Sequence, residues 1–258
     1  MRDSKTLLDY WQPKFIEIAS RNCGNDSAHD LNHLERVWGN AALLLASIPA
    51  ADRLVVMAAC YLHDLVNLPK SHPNRTNASR LSAVQAKSQL TKLGFPPERL
   101  AAVGHAIEAH SYSAGIHPQT IEAEIVQDSD RLDALGAVGL ARMFHIGGQL
   151  GRPLAHESDP LAERRALDDM RYTLDHIENK LLQLPSTMKT EQGRRLAQAR
   201  AELLVRFRDQ FVRECVSTPA KWTAADRDSE HGLAEACTAP EDGRAFAGAM
   251  DPSDTFSV

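Results

Sequence analysis

The chain has 258 residues, enough for one large or two small domains, and 43% of them are hydrophobic, enough for a core. Its formal net charge is −5, with 34 acidic residues against 29 Lys and Arg, so no overall basic field directs it to nucleic acid. Aromatics make up only 5%, Ala and Leu dominate, and alternating β-branched runs and Asn-Gly hairpins are missing, so the expected class is all-α.

Residues 4–21 bring Leu7, Leu8, Trp11, Phe15 and Ile18 together at three- and four-residue steps, which predicts a first helix. Residues 30–47 follow with Leu31, Leu34, Val37, Trp38, Ala41 and Leu44 on one broad face, and Pro49 ends the stretch. Residues 51–65 are apolar all round, which predicts a core helix carrying His63 and Asp64 in its last turn. Residues 66–78 hold two prolines with several Asn and Ser and read as a loop. Helices are expected over 79–93 and 97–110, broken by Gly94-Phe95-Pro96-Pro97, with a loop over 111–119. A long helix is expected over 120–143, then a flexible turn at Gly147-Gly148 and Gly151, then amphipathic helices over 159–184 and 190–215. Beyond residue 216 the composition turns to Ala, Asp, Glu, Ser, Thr and Pro, so residues 1–215 are expected to form one domain and 216–258 a disordered tail. No internal repeat is visible, and Gly147-Gly148-Gln149-Leu150-Gly151 is not a nucleotide loop, since no strand precedes it.

The N-terminal stretch MRDSKTLLDYW is charged and lacks the apolar core of a secretory leader. The longest uncharged stretch, 37–51, is too short to span a bilayer. Cys23, Cys60, Cys215 and Cys237 form no CxxC pair; Cys60 reads as a small core residue, and the pattern suits a reducing compartment. A cytoplasmic protein is the expectation, without membrane or nucleic-acid partner.

Three strings carry chemistry: AHDLNHLERV, AACYLHDLVNLPK and VQDSDRLDALGA. They supply His33, His63, Asp64 and Asp130, two imidazoles and two carboxylates on three segments that read as helices. A mixed nitrogen and oxygen donor set without thiolate suits a first-row divalent ion, with remaining positions for water or substrate. A single His-Asp pair is usually a cap or a surface ion pair; agreement of three segments in order and setting is what points to metal. Asp128 competes with Asp130 within DSDRLD, and His29-Asp30 is a second HD pair.

The order H…HD…D, with HxxRV at the first string and DxDRLDA at the last, resembles the HD-domain metal-dependent phosphohydrolase superfamily. The strings HDLVNLPKSHPNR, HAIEAHSYSA, IVQDSDRLDALGAVGLAR and LDHIENKLLQLPSTMKTEQGRRLA are similar to its YedJ/YpgQ-like bacterial branch, over about residues 5–215. The resemblance implies an HD-domain helical bundle with His33, His63, Asp64 and Asp130 as metal ligands. HxxRV selects His33 over His29, which is left to face the site or orient substrate. DRL favours Asp130, leaving Asp128 to support a metal-bound histidine. The branch usually has Ala where this chain has Ser129.

Phosphate contacts are expected from Lys70, Arg75 and Arg131, because Arg and Lys stay charged at neutral pH. Arg80 lies near them, and Arg36, one turn after His33, reads as a carboxylate partner. Asp64, Lys70 and His110 are the candidate catalytic residues, with His105 a weaker candidate; the other histidines read as ordinary polar residues. The implied cofactor is a divalent ion, Mn²⁺ first and Mg²⁺, Fe²⁺, Co²⁺ or Ni²⁺ behind it. The implied reaction is hydrolysis of a (deoxy)nucleoside triphosphate to release pyrophosphate. Alternatives are a nucleoside 5′-monophosphatase or phosphodiesterase, a di-iron oxygenase, and a nucleotide-binding regulator without turnover. The assembly is a monomer or homodimer.

Overall fold

A computed structural model describes residues 4–22, 31–68, 72 and 74–215. Its described residues form ten α-helices and no strand: α1 (Ser4–Asn22), α2 (Leu31–Leu45), α3 (Arg53–Leu62), α4 (Ala78–Lys92), α5 (Leu100–His110), α6 (Ile121–Asp133), α7 (Gly136–Gln149), α8 (Asp175–Asn179), α9 (Leu184–Thr187) and α10 (Glu191–Cys215). Short 3₁₀ turns lie at Arg75–Asn77, Pro97–Arg99 and Leu181–Gln183. The all-α expectation holds, and no described helix is long and apolar enough to cross a membrane. His29, Lys70, Cys23, Cys237 and the expected tail at 216–258 lie outside the described residues.

The apolar segment predicted for the core occupies it. Every residue from Leu54 to Leu62 is buried, and α3 packs against α1, α2, α5 and α6. Asp52 starts α3 by accepting the amides of Leu54 and Val55, and Arg99 holds that carboxylate at 2.6 Å. Trp11 and Phe15 of α1 meet Phe95 from the Gly94-Phe95-Pro96 break, with Trp11 and Phe95 ring centroids 5.0 Å apart. Cys60 is fully buried, and burial pushes its thiol well up, as expected of an inert core cysteine.

Three expected boundaries are corrected. Helix α3 ends at Leu62, so His63 is its C-cap and Asp64 lies just beyond. The long helix expected over 120–143 is two: the chain turns at Gly136, whose φ of +70° suits glycine, and the Arg200 side chain packs 3.3 Å from where a Cβ would stand. Helix α7 then runs through Gly147 and Gly148 to Gln149, and the turn sits at Gly151. The amphipathic helix expected over 159–184 does not form. Asp159 accepts the amides of Glu163 and Arg164, Ala162 takes a φ of 55°, and Asp175 holds Arg165 through both carboxylate oxygens at 2.6 and 2.7 Å. Side-chain carboxylates thus satisfy backbone groups that a helix would have used.

Asp128 has a structural task. It is fully buried and accepts the amides of Lys189 and Thr190 and the Thr190 hydroxyl, tying α6 to the start of α10. Burial raises its pKa above the ordinary value, against the pull of those hydrogen bonds. Asn40 and Arg200 complete the tie: Asn40 donates to Ser129 O, and Arg200 donates to Leu132 O and Asn40 Oδ1.

Candidate metal centre

Three helix ends and one helix flank converge. His33 stands in the first turn of α2, His63 caps α3, His110 closes α5, and Asp130 faces them from α6. His33 Nε2 lies 3.4 Å from His63 Nε2, 3.6 Å from Asp130 Oδ1 and 4.0 Å from Asp64 Oδ2. His63 Nε2 is 3.5 Å from Asp64 Oδ2 and 3.8 Å from Asp130 Oδ1. His110 Nε2 is 3.6 Å from Asp64 Oδ1.

The far side of each ring decides what these nitrogens can do. His33 Nδ1 donates to Asp133 Oδ2 at 2.8 Å, His63 Nδ1 to Cys60 O at 2.9 Å, and His110 Nδ1 to Ile107 O at 2.6 Å. Each acceptor lacks a proton, so each Nδ1 carries one. In the neutral ring the lone pair then sits on Nε2, aimed at the other rings and at two carboxylates. Lone pairs facing one another at these distances, beside carboxylates, suit a cation held between them. Two overlapping triads meet that geometry: His33, His63 and Asp64, and His63, His110 and Asp130. The donor set fits a first-row divalent ion.

The site opens on one side. The His33 and His63 side chains are 1% exposed, whereas Asp64 and Asp130 keep 21% and 28%. Burial would raise the Asp130 pKa, but the imidazoles of His63, His33 and His110 outweigh it and hold the carboxyl below its ordinary value. Burial is also the leading influence on His110 and, with His63 beside it, lowers that imidazole below its ordinary 6.5. His110 is therefore neutral at neutral pH.

Asp133 is the residue that sequence reasoning missed. Its buried carboxylate accepts from His33 Nδ1, from Arg36 Nε and Nη2 at 2.7 and 3.1 Å, and from Arg142 Nη1 at 2.6 Å. It does for His33 what was expected of Asp128. The sequence signal was present, since Asp133 lies one turn after Asp130 in DRLD, but its partners come from residues 33, 36 and 142. Arg36 pairs with a carboxylate as its position suggested.

The other expected residues separate. Arg131 is half-buried beside Asp130; Nη1 donates to Thr187 O, its guanidinium carbon lies 5.7 Å from the Tyr112 ring centroid, and its buried Nε finds no partner among the described residues. Arg75 bonds Asn67 Oδ1 and Leu68 O, fastening the segment after the HD pair. Arg80 binds Asn77. His105 is drawn away, its Nε2 accepting the Gln119 amide.

Residues 30–135 match the family described as HD domain. Against the uncharacterized protein YpgQ of Bacillus subtilis, the chain is 31% identical over 192 residues, 73% of this chain and 85% of YpgQ. The chain belongs to the HD-domain family. The solved structure of YpgQ in complex with ADP superposes with a TM-score of 0.62 at 30% identity, covering 80% of this chain and 98% of that one. An HD-superfamily hydrolase from Bacillus thuringiensis gives a TM-score of 0.62 at 26% identity, covering 84% and 100%. A Lactobacillus plantarum protein gives 0.64 at 26% identity, covering 81% and 99%.

Proposed function

We propose that the chain is a metal-dependent phosphohydrolase of small nucleotides that cleaves a (deoxy)nucleoside triphosphate and releases pyrophosphate. The observation that carries the reading is the set of imidazoles whose Nδ1 protons are engaged behind, so that their Nε2 atoms converge on Asp64 and Asp130. His33, His63, Asp64 and Asp130 would hold the ion, with Mn²⁺ the expected metal. Such an ion polarises a phosphoryl oxygen and lowers the pKa of bound water. YpgQ has been crystallised with ADP, and the Bacillus thuringiensis neighbour is described as a hydrolase; both support a nucleotide substrate and a hydrolytic reaction.

The chain's own residues take separate tasks in this reading. Asp133 fixes the His33 ring and its tautomer. Asp64, partly exposed and 3.6 Å from His110 Nε2, orients the attacking water. Neutral His110 accepts a proton rather than supplying a fixed positive charge, because burial holds its pKa down. Arg131, whose guanidinium feels the charge of Asp130, would meet charge that grows on the transferred phosphoryl group. Lys70 and His29 are kept as substrate contacts on their sequence positions alone, and Arg75 as the rim cation nearest the HD segment. The protein acts inside the cell, as a monomer or homodimer, in the domain spanning residues 1–215.

The test is a turnover screen over nucleoside mono-, di- and triphosphates with Mn²⁺, products resolved, and His63→Ala and Asp64→Ala as blanks. Pyrophosphate from a triphosphate, lost in both blanks, is the expected result. Phosphate or an opened phosphodiester would replace this reading with the monophosphatase or phosphodiesterase. The second triad, His63, His110 and Asp130, is the observation that supports a two-ion reading such as an oxygenase. Iron content and oxygen uptake test it, although His105, one of its two candidate extra donors, is bound elsewhere.

A further inference from the structure

Lys180 follows α8 and begins the turn Leu181–Gln183. Its ammonium is near enough to Asp130 for that carboxylate's charge to act on it. The ammonium lies 5.8 Å from the Tyr112 ring centroid, on the same ring that Arg131 approaches to 5.7 Å. Among the described residues no carboxylate comes to ion-pair distance of it, and no acceptor takes its protons. Burial lowers its pKa below the ordinary 10.5, opposed by the charges of Asp130 and then Asp169, while Arg142 and Arg75 repel it. Asp169 is already committed to His176 Nδ1 at 2.7 Å.

A half-buried ammonium without a contacting counter-ion is costly unless something outside the chain completes it. Other cations act on this place: Arg142 and Arg75 repel Lys180, and Arg131 feels the charge of Asp130 as Lys180 does. A second divalent ion would be repelled there. A chain of phosphates would be attracted, with one oxygen at the metal ligands and others reaching Lys180 and Arg131.

We infer that Lys180, together with Arg131 and beside Tyr112, binds the distal phosphates of the substrate and thereby selects nucleoside triphosphates over monophosphates. This deepens the proposed function and rests on it. Lys180 touches substrate and contributes no ligand to the metal. Its removal should weaken a polyphosphate more than a monophosphate, and should raise KM more than it lowers kcat, because contact to a distal phosphate exists before the transition state.

The experiment measures binding of the α,β-methylene analogue of ATP and of AMP to Mn²⁺-loaded wild type, Lys180→Met and Lys180→Arg, with retained Mn²⁺ counted in each. One lost charge-assisted contact should weaken the triphosphate analogue about tenfold to a hundredfold in Lys180→Met. AMP affinity and Mn²⁺ content should stay unchanged, and Lys180→Arg should recover most of the loss. Equal affinity of wild type and Lys180→Met for the analogue overturns the inference while leaving the proposed function standing. Equal weakening of AMP and analogue removes the selective role, and loss of Mn²⁺ from Lys180→Met shows that the residue serves the metal site instead. Wild type that binds neither nucleotide overturns the proposed function itself.

Discussion

Replacing Asp133 with asparagine is the sharpest perturbation the structure offers, because the two side chains have nearly the same shape. The wild-type carboxylate, only 3% exposed, accepts from His33, twice from Arg36 and once from Arg142. An amide has one acceptor atom, and its NH₂ group would face a donor of Arg36, Arg142 or His33. Breaking a buried pair by removing one partner costs about 3–5 kcal/mol. For a domain of this size that corresponds to a fall in Tm of roughly 6–20 °C in metal-free protein. The metal should suffer separately: loss of the group that orients a ligating histidine costs about 10–100-fold in affinity.

Thermal unfolding in chelator and Mn²⁺ titration of the folded variant read the two effects apart. The pH dependence adds a third reading. Burial would raise the Asp133 carboxyl, but its bonds to His33 and Arg36 and the Arg142 charge hold it well below the usual carboxylate range. A depressed folded pKa contributes stability that is fully present above the unfolded value of about 4. That contribution is lost as pH falls further, toward the folded value. Wild type should therefore lose stability steeply on acidification below about pH 4, and Asp133→Asn should lack that part of the slope. An Asp133→Asn protein that binds Mn²⁺ as tightly as wild type, at unchanged Tm, would refute the argument that Asp133 positions His33.

His63→Ala and Asp64→Ala should each abolish Mn²⁺-dependent turnover in protein that remains folded by circular dichroism, since each deletes a proposed ligand. His110→Gln should retain Mn²⁺ yet lower kcat by about 10²-fold or more, the usual scale for a lost proton-transfer group, read in steady-state kinetics with metal analysis. Gly193→Ala should destabilise the protein by about 1–3 kcal/mol without changing nucleotide affinity, because a Cβ there would stand 2.5 Å from Asp128 Oδ2 and 2.6 Å from Thr190 Oγ1; urea unfolding checks it. Gly147→Ala should behave the same way, its Cβ falling 2.4 Å from the Thr173 hydroxyl.

Sequence patterns expose what is local. The periodic helices over 4–21 and 30–47 appear within two residues of their expected ends, because an apolar stripe and its flanking breakers define them. His33, His63, Asp64 and Asp130 meet because motif order carried their roles. Groups defined by distant partners were hidden. Asp133 reads as an ordinary helical acid until Arg36 and Arg142 are placed beside it. The break at Gly136 was masked by apolar residues that continue in helical register on both sides. In 159–175 the alternating charges imitate helical pairs, yet Asp159 and Asp175 gather backbone amides and Arg165 instead. Lys180 showed nothing in the sequence that set it apart from any helical lysine, because its significance lies in Asp130 and Tyr112, far away along the chain.

The charges around the centre divide into two groups that cannot substitute for each other. Asp133 faces inward and is already answered by Arg36 and Arg142, so that pairing holds His33 without drawing on solvent or substrate. Asp64 and Asp130 face outward with partly exposed side chains, beside the imidazoles of His33, His63 and His110. Two carboxylates in that setting call for a dication. Beyond them, among the described residues, no carboxylate is in ion-pair contact with Arg131 or Lys180, a local excess of positive charge in a chain whose net charge is −5. A dication alone would add to that excess, and an anion alone would meet Asp64 and Asp130. The two requirements are met together by a metal-bound polyphosphate, which is why the proposed ligand is a nucleotide with several phosphates and its metal ion, bound jointly.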